Sequence, residues 1–121
     1  MIHNHVMEHL PCNETIVLQR LHALLKPGGL HIFSVPLTSG TSRADPNPEM
    51  TAQERVNLFF QHDHIRKYGR DDFDMTLGMV FGLTRDGYSL ENHIPRAALE
   101  AAAIPHETWT PRGSTVFLVK K

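Results

Sequence analysis

The sequence predicts a single α/β layer domain spanning residues 1–121. Three observations carry that expectation. Helix-like and strand-like patterns alternate along the chain, which is the signature of a layered α/β fold. Residues 30–36, Leu-His-Ile-Phe-Ser-Val-Pro, are apolar at neighbouring positions, as in a strand covered on both faces. Between the first helical pattern and that strand stands Lys26-Pro27-Gly28-Gly29, a sharp stop for a helix.

Each element has its own local reason. Residues 1–9 begin apolar, with no polar lead-in and no cap, and read as the end of an element. Asn13 is placed to cap a helix, and Glu14 adds a negative charge to its first turn. Val17, Leu18, Leu21, Leu24 and Leu25 then form one apolar helical face. Residues 37–50 read as a long polar loop with two prolines, of the kind that often contacts ligands. Thr51 and Glu54 are spaced as a capping box and open a helix bearing Val56, Leu58, Phe59 and Phe60, with both phenylalanines expected in the core.

The later elements are shorter. A polar, histidine-containing stretch occupies residues 61–70. Asp71 or Asp72 is expected to cap a short helix carrying Phe73 and Leu77, and residues 78–83 read as a short strand. Pro95 opens a mildly amphipathic helix over 95–103. Residues 114–119 are β-branched and aromatic and read as a terminal strand. Trp109 is expected to pack in the core.

Composition narrows the functional classes. Twelve Lys and Arg against thirteen Asp and Glu give a formal net charge of -1. No dense basic run is present, which argues against nucleic-acid binding. No apolar stretch reaches the ~20 residues of a membrane span, and no signal-peptide pattern opens the chain, so a cytoplasmic location is expected. Cys12 is the single cysteine, so no intramolecular disulfide forms. It is read as an inert thiol. Nine histidines are many for 121 residues. His3, His5 and His9 form an H-x-H-x-x-x-H pattern, and His62 and His64 flank Asp63. Imidazoles ligate zinc, yet the first cluster lacks the Asp-His continuation of metallo-β-lactamase-like hydrolases. No metal ligand is assigned. Glu8 is read as a capping or bridging carboxylate ahead of a general base, and His62 and His64 as structural hydrogen-bonding groups ahead of metal ligands.

Two blocks resemble a known family. The first runs His3-Asn4-His5-Val6-Met7-Glu8-His9-Leu10-Pro11, a helix, Leu25-Lys26-Pro27-Gly28-Gly29, and a strand ending Phe33-Ser34-Val35-Pro36. It is similar to the central stretch of class I S-adenosylmethionine-dependent methyltransferases, from the end of the fourth strand through the fifth. The second, residues 61–69 with Asp71, Asp72 and Phe73, is similar to a segment many bacterial members carry after the fifth strand. The terminal strand matches the family's last.

The resemblance implies the C-terminal part of a Rossmann-like methyltransferase sheet with flanking helices. It also implies a methyltransferase whose acceptor is unknown. Asn4, His5 and Val6 would line the methyl end of S-adenosylmethionine. Arg66 and Tyr68, with His62 and His64, are the candidate substrate contacts, and residues 38–49 and 61–69 are where an acceptor would touch. The Gly-rich loop after the family's first strand and the ribose-binding acid after its second have no counterpart here. The chain is therefore expected to be a partial, truncated domain, catalytically incomplete and weak or absent in cofactor binding. An incomplete sheet leaves either the residue 1–9 stub or the residue 30–36 strand as an open edge, so a homo-oligomer, as a homodimer, is expected through that edge. The alternatives are a non-catalytic dimerising module and a His-rich metal-binding or hydrolytic protein.

Overall fold

A computed structural model describes all 121 residues, Met1–Lys121. The fold is a small mixed α/β domain with two three-stranded mixed sheets and four α-helices. The first sheet takes β1 (Ile2–Asn4), β2 (Leu30–Ser34) and β6 (Phe117–Lys120) in the order β1-β2-β6. β1 and β2 are parallel, joined through α1 (Glu14–Ala23), whereas β6 is antiparallel to β2. The second sheet takes β3 (Leu37–Thr38), β4 (Arg43–Ala44) and β5 (Arg66–Gly69), with β5 central, parallel to β3 and antiparallel to β4. α2 (Ala52–Phe59), α3 (Leu77–Phe81) and α4 (Arg96–Ala101) complete the helices.

The local signals act as the chemistry requires. Asn13 Oδ1 accepts from the backbone N–H groups of Thr15 and Ile16, so α1 begins there. Thr51 and Glu54 form a reciprocal capping box at the start of α2. Gly28 has φ +79° and makes the turn into β2 that a Cβ would strain. Thr38 and Gly69 sit side by side at the end of the parallel β3–β5 pair. There the backbone of residues 40–42 passes over Gly69 so closely that a Cβ would overlap the Gly40 carbonyl oxygen.

One face of the first sheet is covered. Phe33 and Phe117 point into the core and pack on each other, Phe117 stacks with Phe73, and Tyr88, Leu18, Leu77 and Trp109 close around them. The opposite face carries Ile2, Leu30, Ile32 and Leu118. Ile2 is 68% exposed, and Leu30 is also exposed. Ile32 and Leu118 line an apolar groove of about 490 Å³ with Leu90, Ile94, Ile104 and Val116. The two sheet edges differ as well. Tyr88 Oη accepts from Leu118 N–H and donates to the Val116 carbonyl, occupying the outer edge of β6. On β1 the bonds to β2 run through Met1 and His5, so the alternating backbone groups of Ile2 and Asn4 face outward.

Several expectations change. Residues 78–83 do not form a strand: Leu77–Phe81 is helical and ends at Gly82 in the left-handed region. Residues 37–50 are not all loop, because short strands β3 and β4 flank β5, and residues 66–69 of the polar stretch are themselves a strand. Asp72 does not cap the turn that follows it. Its carboxylate accepts instead from the Ser42 N–H and hydroxyl. Phe59 is buried but Phe60 is exposed, since α2 ends in a left-handed turn at Phe60 that directs the ring outward. Leu24 lies past the end of α1 and is exposed. β2 is the central strand, paired on both sides, so the open edge belongs to β1 alone. One face of β2 is only partly covered, unlike a strand sandwiched between helices.

Replacing Gly69 with Ala is expected to cost about 2–3 kcal/mol, since backbone and not a flexible side chain must yield. Urea unfolding monitored by circular dichroism measures this. A neutral substitution would mean that residues 40–42 lie farther from β5.

Candidate functional site

The site forms where the end of β1 meets the segment leading into β5. His5 donates its N–H to Ser34 O, the last bond of β1, and adopts φ +50°. A non-glycine residue in this left-handed conformation is uncommon and costs about 1 kcal/mol. The kink turns the chain into a 3₁₀ segment, Met7–His9, that points Met7 and Glu8 inward and leaves His9 at the rim. Ile65 N–H donates to Glu8 O at 3.1 Å and fixes residues 61–65 against this turn.

Glu8 is fully buried, and neither carboxylate oxygen has an aligned hydrogen-bond donor. His5 Nδ1 lies 3.2 Å from Glu8 Oε1, off the direction a hydrogen bond requires, and His64 Nε2 lies 4.0 Å away. His9 packs edge-on against His64 with ring centroids 4.7 Å apart, and its Nδ1 is 3.4 Å from Asp63 Oδ2. Burial pulls the His64 pKa down, opposed by the nearby Glu8 carboxylate and reinforced by His9. Glu8, His9 and His64 present ligand-type atoms all within 4.8 Å of one another.

The candidate substrate contacts separate into different environments. His62 is exposed, on the surface of the turn. His64 is buried beside Glu8. Arg66 is buried and holds the start of α1. Its guanidinium pairs with Glu14 and donates to the carbonyls of Leu10, at 2.7 Å, and Cys12, at 2.8 Å. Tyr68 is buried with its hydroxyl unpartnered, and burial drives its pKa well above the phenol range. Arg66 and Tyr68 border a polar cleft of about 200 Å³ with Glu14, Ser42 and Asp72, while His64 borders a separate hollow with Pro36 and Phe59.

The candidate cofactor residues lie at the surface. Asn4 accepts from Ser34 Oγ at 3.2 Å, and Asn4, His5 and Val6 are all exposed. None of the three lines any of the five concavities of the chain. These residues alone do not enclose a ligand the size of S-adenosylmethionine. Cys12 is exposed.

A second histidine group lies beneath the first sheet. His3 Nε2 and His31 Nε2 are 2.9 Å apart, and His22 stacks on His31 with centroids 5.7 Å apart. Phe33 and Phe81 close over these rings. Burial is the main cause that takes the His31 pKa down to about 4, with His3, His22 and the N-terminal amine adding repulsion. Sequence spacing does not reveal this group, because His3, His22 and His31 come from β1, α1 and β2.

Two outcomes follow from these contacts. Arg66→Ala should destabilise the fold by about 3 kcal/mol, because it orphans two carbonyls and a partly buried carboxylate; Arg66→Lys should recover part of the loss in the same urea titration. For His31, the unfolded chain takes up a proton near the ordinary value of 6.5, while the folded protein resists until about pH 4. The stability this residue contributes is therefore complete above 6.5, declines as pH falls through that window, and is spent below about 4. His31→Gln should flatten the pH dependence of unfolding between these limits, where the wild-type slope approaches ~1.4 kcal/mol per pH unit; parallel profiles would remove His31 as the cause.

No helix is long and apolar enough to cross a membrane. Compared with known proteins, the chain matches no family profile, no curated sequence and no solved structure.

Proposed function

We propose that this chain supplies the rear strands of a class I S-adenosylmethionine-dependent methyltransferase, whose cofactor-gripping strands lie outside these 121 residues. The observation that carries the reading is the first sheet. A short strand crosses through a helix into a parallel neighbour, a terminal strand adds antiparallel on the far side, and the β1 edge stays open. Open α/β sheets bind ligands beyond the carboxyl ends of their parallel strands. Here that rim is formed by Asn4 at the end of β1, by His5 and Val6 after it, and by residues 35–38 after β2.

In this reading, further strands pair on the Ile2 and Asn4 backbone groups and further helices cover the apolar face around Ile2 and Ile32. Asn4, His5 and Val6 then form one wall of a cofactor site, with the acceptor approaching over residues 38–49 and 61–69. S-Adenosylmethionine supplies an electrophilic methyl group when bound. The exposure of the three wall residues in this chain leaves the transfer step to the assembled domain. Without further strands, the same edge joins a second copy.

Two measurements test this together. The isolated chain should give no micromolar heat signature with S-adenosylhomocysteine in calorimetry. It should also self-associate in size-exclusion chromatography with light scattering, and Ile2→Lys should weaken that association. A chain extended into the upstream reading frame by an in-frame Gly-rich strand–turn–helix should bind the cofactor product at micromolar concentration. Micromolar binding by the 121 residues alone overturns the incompleteness. An extended chain that fails to bind overturns the methyltransferase reading.

A further inference from the structure

We infer that Glu8, His9 and His64 form a binding site for a divalent transition-metal cation of the zinc class. The inference stands on side-chain geometry and does not rest on the methyltransferase reading. Glu8 is the anchor. Its carboxylate is fully enclosed, has no aligned donor on either oxygen, and faces His5 and His64. A bound cation would satisfy carboxylate oxygens that no protein donor reaches. The terminal nitrogens of Arg66 are engaged with Glu14, Leu10 and Cys12, and Arg55 donates to the carbonyls of His64 and Asn47.

Between a protonated imidazole and a bound cation as the compensating charge, the arrangement favours the cation. Protonating one ring would place the new charge beside its histidine neighbour, since His9 and His64 stand edge to face at 4.7 Å. A cation instead uses both rings as neutral donors and the carboxylate as an anion at once. One carboxylate oxygen with two imidazole nitrogens is a ligand set suited to Zn²⁺, with Fe²⁺ and Ni²⁺ as chemical relatives.

The dimensions are compatible. Bonds of about 2.0–2.1 Å put tetrahedral ligand atoms about 3.4 Å apart. The three donor atoms here lie within 4.8 Å of one another, and Glu8 Oε1 and His64 Nε2 are already at 4.0 Å. His9 is the partly exposed member at the rim, so its side-chain torsions can close the remaining gap and admit the ion. Asp63, 3.4 Å from His9 Nδ1, supplies the carboxylate partner that commonly orients a ligand imidazole. With three protein ligands, a fourth position is left for water or a substrate group.

Titration of the full tag-free chain with Zn²⁺ in a calorimeter, and with Co²⁺ by visible absorption, tests the assignment. One ion per chain is expected, with micromolar or tighter affinity and a cobalt spectrum typical of four nitrogen and oxygen ligands. Glu8→Gln and His64→Ala should each weaken Zn²⁺ by roughly 100-fold or more, above the usual loss from an outer partner, and Asp63→Asn by roughly 10-fold. His62→Ala and His106→Ala, which remove exposed imidazoles outside the cluster, should leave affinity unchanged. Circular dichroism identifies any buried variant that fails to fold, and His9→Ala, at the rim, then carries the test. Absence of stoichiometric binding, unchanged affinity in His9→Ala, or affinity lost in His3→Ala would each overturn the site.

Discussion

The Arg66 guanidinium ties the two sheets into one body. It projects from β5, the central strand of the second sheet, and holds the carbonyls of Leu10 and Cys12 together with the Glu14 carboxylate. Those three groups are the entry to α1, the helix that crosses from β1 to β2. A buried cation that satisfies two carbonyls and one anion fixes direction as well as distance, because the guanidinium is planar and its donors are rigidly disposed. The turn after β1 is thereby pressed against residues 61–65, and the Ile65–Glu8 backbone bond completes the register. The enclosed Glu8 and its ring of histidines exist because this clamp brings two distant segments together.

Local chemistry was legible in the sequence wherever one segment satisfies itself. Asn13 caps α1, Thr51 and Glu54 form their box, and Gly28 turns the chain into β2, all on signals contained within a few residues. The failures share an opposite cause. Residues 66–69 read as polar because Arg66 and Lys67 interrupt the strand pattern, and the burial of Arg66 depends on carbonyls more than fifty positions earlier. Residues 78–83 read as a strand from their apolar content, but Gly78 lies against Leu83 and Phe73 in a packed helical turn that only tertiary contact dictates. Asp72 looked like a cap and instead serves Ser42, thirty residues away.

The candidate sites divide in the same manner. Asn4, His5 and Val6 stay together because they are consecutive. His62, His64, Arg66 and Tyr68 alternate in sequence yet face different surroundings, as the bend before β5 sends His64 toward Glu8 while Arg66 turns toward α1. Two histidine patterns that spacing kept apart, one around His9 and one around His64, become a single cluster through β5 packing against the 3₁₀ turn. Periodicity describes one element at a time, so a meeting between elements escapes it.

Tyr88 gives the first sheet a polarity of growth. With its phenol lodged on the backbone of Val116 and Leu118, that flank of the first sheet is occupied, whereas the outward backbone groups on the β1 flank are bare. A sheet with one usable rim terminates after a single joining event. The first sheet thus lacks the second rim that open-ended stacking through it would need, even while it keeps a bare strand at its surface.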